Sequence, residues 1–108
     1  MVTDLKSILA LADGKGCAIP AFNVYNMEGV IGVMHAAQET HAPVIFQIYS
    51  RLFDRYQAAF IAPMIKEAIQ QLETPAVFHL DHGSGIPSVL RALRLGVSGA
   101  MIDASTLP

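Results

Sequence analysis

The chain is poor in cysteine, in charge and in the largest aromatic. It has one cysteine, Cys17, no tryptophan, and 15% charged residues among 108. A lone cysteine cannot close an internal disulfide, so the core must hold the fold, and the expected compartment is a reducing cytoplasm. Seven Lys and Arg against nine Asp and Glu leave a net charge of -2. Without a basic surplus, neither nucleic acid nor an anionic membrane surface is expected as the main partner. Charges interrupt every apolar stretch before the roughly 18 residues of a transmembrane span. Met1-Val2-Thr3-Asp4 lacks the basic start and apolar run of a secretion signal. What the chain has in plenty is apolar side chains, 53% of the total, with a mean hydropathy of +0.43. That composition excludes disorder and points to a buried, interface-rich domain.

Short apolar runs alternate with amphipathic segments. Thr3 to Ala12 predicts a helix, with Thr3 as N-cap, Leu5, Ile8, Leu9 and Ala12 on one face, and Gly14 and Gly16 at its end. Cys17 to Phe22 predicts a strand that buries Cys17. Glu28 to Thr40 predicts a helix, Val44 to Tyr49 a strand, and Tyr56 to Gln71 a helix interrupted by Pro63. Ala76 to Asp81 reads as a third strand, Ile86 to Leu95 as a helix closed by Gly96, and Val97 to Asp103 as a fourth strand. The strands are nearly continuous apolar runs, as expected for a parallel sheet covered on both faces. Repeated βα units give a doubly wound sheet or a TIM barrel, and periodicity alone does not choose. A barrel needs about 250 residues, so this chain would cover about its first four strands. An isolated half would leave two sheet edges unpaired.

Polar residues inside these runs are the candidates for chemistry. Phe78-His79-Leu80-Asp81-His82-Gly83 places two histidines and an aspartate at the carboxyl end of a strand, where parallel α/β folds build their sites. Charge buried there is costly unless paired or bound to a metal. A hydrogen-bonded Asp–His pair that merely holds a loop fits equally well. Side chains alternate along a strand, so Asp81 and His82 share one site only if the strand ends between them. Asn23 and Asn26 follow the first strand; capping the next helix is their simplest role, and Asn23 could instead offer its amide to a ligand. Asp103 ends the fourth strand, where it could cap a helix, orient a metal-bound histidine, or bind a cation, in that order of preference. His35 and His41 lie away from this end, and His82 with a poorer His79 does not complete a catalytic zinc site, which takes three protein ligands. Met27, Met34, Met64 and Met101 read as packing residues, and Arg91 and Arg94 as solvated.

Four segments in order carry a resemblance to a known family: Ile19-Pro20-Ala21-Phe22-Asn23-Val24, Ala42-Pro43-Val44-Ile45, His79-Leu80-Asp81-His82-Gly83, and Met101-Ile102-Asp103-Ala104-Ser105 with Leu107-Pro108. The chain resembles the N-terminal part of the class II, zinc-dependent ketose-bisphosphate aldolases of the fructose- and tagatose-bisphosphate group. The resemblance implies a TIM (β/α)8 barrel. It implies Asp81 as catalytic acid/base, giving a proton to the aldehyde oxygen as the carbon–carbon bond forms. It implies His82 as the first zinc ligand, with zinc polarising the ketose carbonyl and stabilising the enediolate. Asn23 matches a substrate-side asparagine, and Asp103 an acidic position that binds a second cation in some members. A substrate-binding serine or threonine of the family falls at Tyr49, with Ser50 one residue later. The other zinc ligands, the phosphate loops and the proton-abstracting glutamate lie beyond the matched region. The implied partners are a phosphorylated sugar and either a second copy or further barrel residues. A non-catalytic half-barrel subunit is the alternative.

Overall fold

A computed structural model describes residues 1–108. Its elements run α1 (Leu5–Lys15), β1 (Ala21–Asn23), α2 (Met27–Thr40), β2 (Val44–Tyr49), α3 (Ser50–Phe53), α4 (Gln57–Gln71), β3 (Ala76–Gly83), α5 (Ile86–Leu95) and β4 (Gly99–Ile102). The four strands form one parallel sheet in the order β1-β2-β3-β4. This order never reverses. A doubly wound sheet reverses at its switch point, whereas a barrel steps round in one direction, so the chain forms the first part of a (β/α)8 barrel.

The two faces of the sheet are buried differently. Phe46, Ile48, Phe78 and Leu80 pack against Val30 and Ala37 of α2, Ile61, Ile65 and Ile69 of α4, and Ala92 of α5, in one cluster of 19 buried residues. On the opposite face Ile45 and Val77 meet Ile8 of α1, with Leu5 and Ile19 beside them. This second face is the barrel interior, and α1 closes its lower end. Backbone bonds fix α1 there, from Thr3 N–H to the Ala76 carbonyl (2.9 Å) and from Leu5 N–H to the Ser98 carbonyl (3.3 Å). Because side chains repeat every second residue on a strand, the interior rises in layers from Ile45 and Val77 to Gln47 and His79, then to Tyr49 and Asp81. Register places Asn23 of β1 beside Gln47.

Several expectations are corrected. The N-cap of α1 is Asp4, which accepts from Ser7 N–H at 2.7 Å; Thr3 lies one residue before the cap, with its N–H on the Ala76 carbonyl. The helix passes through Gly14 and ends at Gly16, in the left-handed conformation with φ 63°. Cys17 is exposed and outside any strand: its N–H turns back onto the Ala12 carbonyl, and ladder pairing begins only at the Pro20 carbonyl. β3 runs two residues further than expected, while Val97 N–H caps α5 and so shortens β4. The short helix α3 carries no amphipathic repeat that would announce it. Pro63 lies inside a continuous α4, where its missing N–H leaves the Ala59 carbonyl without its helical donor. Met34 and Met64 pack on the core as expected, but Met27 and Met101 are exposed. Arg91 is paired with Asp54, tying α5 to the end of α3. No helix is long and apolar enough to cross a membrane.

Candidate active site

The upper end of the sheet interior gathers Asn23, Asp81, His82 and Asp103. The expectation that Asp81 and His82 meet only where the strand ends is overturned by a local irregularity. β3 and β4 are in register at His79↔Gly99 and Leu80↔Ala100, and then at Gly83↔Ile102. Three steps on β3 therefore match two on β4, which is a β-bulge. His82 occupies the left-handed region within it, φ 52°, a conformation uncommon outside glycine. The bulge cancels the alternation and brings the two side chains together, with His82 Nε2 lying 3.7 Å from Asp81 Oδ1. That separation is too long for a hydrogen bond and short enough for electrostatic coupling.

Gly83 permits the bulge. A Cβ there would stand 2.8 Å from the Met101 carbonyl oxygen and 2.9 Å from Leu80 Cδ2. The same residue's carbonyl accepts from Asp103 N–H at 2.9 Å, which carries Asp103 towards His82. Gly83→Ala is expected to destabilise the protein by about 1–3 kcal/mol through overpacking and to separate Asp103 from His82. Thermal unfolding together with the His82 imidazole NMR signals checks both effects.

Each side chain is held by a specific partner. His82 Nδ1 and Asp103 Oδ2 are 2.7 Å apart, and Asp103 Oδ1 accepts from Ser105 N–H at 2.9 Å. Hydrogen bonds from Ser105 and then from His82 hold the Asp103 carboxyl below the usual carboxylate range. The Asp103 hydrogen bond, followed by the nearby Asp81 charge, pushes the His82 pKa up. With an ionised Asp103 accepting, neutral His82 carries its proton on Nδ1 and leaves the Nε2 lone pair free, the arrangement of a metal-ligating histidine held by a carboxylate. Asp103 therefore bonds the His82 ring at Nδ1 and fixes its orientation. No three His, Cys, Asp or Glu side chains converge as a metal site, so His82 stands as a single donor.

Asn26 caps α2, accepting from Gly29 N–H at 2.8 Å. That frees Asn23, which donates from Nδ2 to Asp81 Oδ2 at 3.0 Å and accepts on Oδ1 from Gln47 Nε2 at 2.7 Å. Gln47 is a site residue that the motifs do not include. The signal was present, since Gln47 is the one polar residue in the run Val44 to Tyr49. Tyr49 stands opposite Asp81 in register and turns its ring edge-on to His82, with centroids 6.0 Å apart. Ser50 is buried at the start of α3, and its hydroxyl bonds to none of these residues. His79 is buried below Asp81 with Nδ1 unpartnered, and burial pushes its pKa down. His35 and His41 lie on and just after α2, away from the site. A groove of about 390 Å³ lined by Met27, Ile31, Met34 and Met64 lies between α2 and α4 and takes in none of the site residues.

Comparisons with known proteins identify the family. The family model for class II fructose-bisphosphate aldolase matches residues 3–108. The chain is 38% identical to a fructose-bisphosphate aldolase of Thermus caldophilus over 105 residues, which is 97% of this chain and 34% of that protein. It is 33% identical to a fructose-bisphosphate aldolase of Treponema pallidum (strain Nichols) over 112 residues, 99% of this chain and 34% of that protein. The chain therefore spans about a third of the length of the curated relatives it matches. The crystal structure of the YdjI aldolase from Escherichia coli K12 superposes with a TM-score of 0.92 at 30% identity, covering all of this chain and 41% of that one. A putative fructose-1,6-bisphosphate aldolase from Coccidioides immitis has the same fold, with a TM-score of 0.86 at 24% identity, over 96% of this chain and 37% of that one.

Proposed function

The chain belongs to the class II fructose-bisphosphate aldolase family, and from that premise we propose that it supplies one side of the active site of a zinc-dependent aldolase. The reaction is the reversible cleavage of a ketose 1,6-bisphosphate, fructose or tagatose, to dihydroxyacetone phosphate and glyceraldehyde 3-phosphate. The observation that carries the reading is the bulge-made pair, with Asp81 Oδ1 set 3.7 Å from a histidine nitrogen that Asp103 keeps open.

Asp81 is the acid/base. In cleavage it takes the proton from the hydroxyl at C4. The O–H electrons become the new carbonyl bond, and the C3–C4 pair passes to the departing three-carbon unit. In condensation the same carboxyl returns the proton to the aldehyde oxygen. Asn23 anchors one oxygen of Asp81 and keeps a second N–H for a substrate oxygen. His82 would hold the zinc ion through Nε2, with Asp103 fixing the ring from behind. The bound ion supplies Lewis-acid polarisation of the ketose carbonyl. The second-cation role for Asp103 is not part of this proposal, because both of its oxygens are already engaged. Ser50 is likewise left out, since Tyr49 holds the position facing Asp81.

The remaining zinc ligands, the phosphate-binding groups and the base that acts on the ketose half come from further barrel residues, which also cover the exposed Phe22, Met101 and Ile102 along the two outer strands. A purified polypeptide of residues 1–108 is expected to show no ketose-bisphosphate cleavage with zinc added. Turnover by that polypeptide would show that His82 and Asp81 suffice. The function itself is tested by assaying the complete barrel that contains residues 1–108 on fructose and tagatose 1,6-bisphosphates with coupled detection of dihydroxyacetone phosphate.

A further inference from the structure

Gln47 lies in the middle of the barrel interior, one layer above Ile45 and Val77 and one below Tyr49 and Asp81. A glutamine in a buried parallel strand needs partners for its amide. Here the partner is Asn23 alone, and the direction of the contact is dictated by chemistry. An ionised carboxylate only accepts hydrogen bonds, so Asn23 must turn its NH2 to Asp81 Oδ2, as it does at 3.0 Å. The Asn23 oxygen then faces Gln47, which must present its own NH2, as it does at 2.7 Å. Polarity runs one way along this chain, from Gln47 through Asn23 to Asp81. The Gln47 backbone joins in, because its carbonyl accepts from Val24 N–H at 3.0 Å and so fixes the chain just past Asn23.

The consequence is an asymmetry in Asp81. Oδ2 is engaged by Asn23, while Oδ1 faces His82 and accepts no hydrogen bond within the chain. We propose that Gln47 is a positioning residue: by holding the Asn23 amide in one orientation it ties down Asp81 Oδ2 and leaves Oδ1 as the oxygen that carries the proton. This deepens the aldolase reading of the site and rests on it. Gln47 touches neither the reacting atoms nor the metal ligand, so its effect should appear only in the step that uses Asp81.

The reaction offers a way to separate that step. Exchange of the α-proton of dihydroxyacetone phosphate with solvent uses the base on the ketose half and not Asp81, whereas carbon–carbon cleavage uses both. Gln47→Met keeps the volume and removes the donor. Gln47→Glu keeps the shape and replaces the donor with an acceptor, which competes with Asp81 for the Asn23 NH2. In the complete barrel that contains residues 1–108, the expected result is a cleavage kcat lower by about tenfold in Gln47→Met, a fraction of the 10²–10⁴-fold of general acid–base catalysis. Gln47→Glu should lose more, with α-proton exchange and zinc content held within twofold in both variants. Equal losses of cleavage and exchange, or a Gln47→Glu no worse than Gln47→Met, would overturn the proposal. The Asn23 side-chain NH2 signals give a readout independent of turnover. They should be protected from exchange in the unsubstituted protein and lose that protection in Gln47→Met; unchanged protection would also overturn it. An unsubstituted complete barrel without cleavage activity would defeat the aldolase reading, while the Asn23 signals would still decide the relay.

Discussion

Asp81→Ala is expected to abolish cleavage and leave the zinc in place, whereas His82→Ala loses both. The two residues are adjacent in sequence and share one pocket of the bulge, yet their roles separate cleanly. Asp81 Oδ2 is held by Asn23, and neither of its oxygens is bonded to His82. Removing its carboxyl takes away the proton carrier, for a loss on the order of 10²–10⁴-fold or more. The His82–Asp103 contact that presents the ligand nitrogen is untouched. On the proposed reading, removing the imidazole takes away a zinc donor and leaves Asp103 without its neighbour. Metal analysis alongside the cleavage assay distinguishes the two. Full turnover in Asp81→Ala would mean that another group carries the proton.

Asp103→Ala is expected to weaken zinc binding by about 10–100-fold, the usual cost of losing the carboxylate behind a ligating histidine. The structure gives a definite reason. Asp103 is the hydrogen-bond partner of His82 Nδ1, and it is itself locked by Ser105 N–H and by its own N–H on the Gly83 carbonyl. Without it the ring is free to rotate and to carry its proton on Nε2, where a proton excludes the metal. Asp103→Asn separates the contributions, since an amide oxygen still accepts from Nδ1–H but lacks the charge. Its affinity should fall between those of the parent and Asp103→Ala. Zinc competition against a chelating dye measures all three, and equal affinity across the series would remove Asp103 from the metal site.

The pattern of elements was legible where a single local rule governs a segment. Val44–Tyr49 and Ile86–Leu95 have the predicted ends, because Pro43 and Gly96 bound them and nothing from elsewhere competes. Cys17 departs from the strand its apolar run suggests, because the end of α1 takes its N–H. The site was legible in its parts and hidden in its geometry. His79, Asp81, His82 and Asp103 stood out as polar residues at strand ends. That Asp81 and His82 face one site depends on one extra residue in β3 relative to β4 and on a left-handed histidine. Neither can be read without knowing which strand pairs with which. Gln47 was readable from its lone polarity and was passed over because its partner, Asn23, lies on a neighbouring strand.

Zinc-dependent cleavage by the complete barrel that contains residues 1–108 tests this site most directly. Fructose or tagatose 1,6-bisphosphate is incubated with protein stripped by chelator and then reloaded. The expected result is no dihydroxyacetone phosphate from the stripped protein and restored cleavage with zinc, with His82→Ala failing to recover. Cleavage that survives chelation, or that His82→Ala recovers fully, would contradict the assignment of this site.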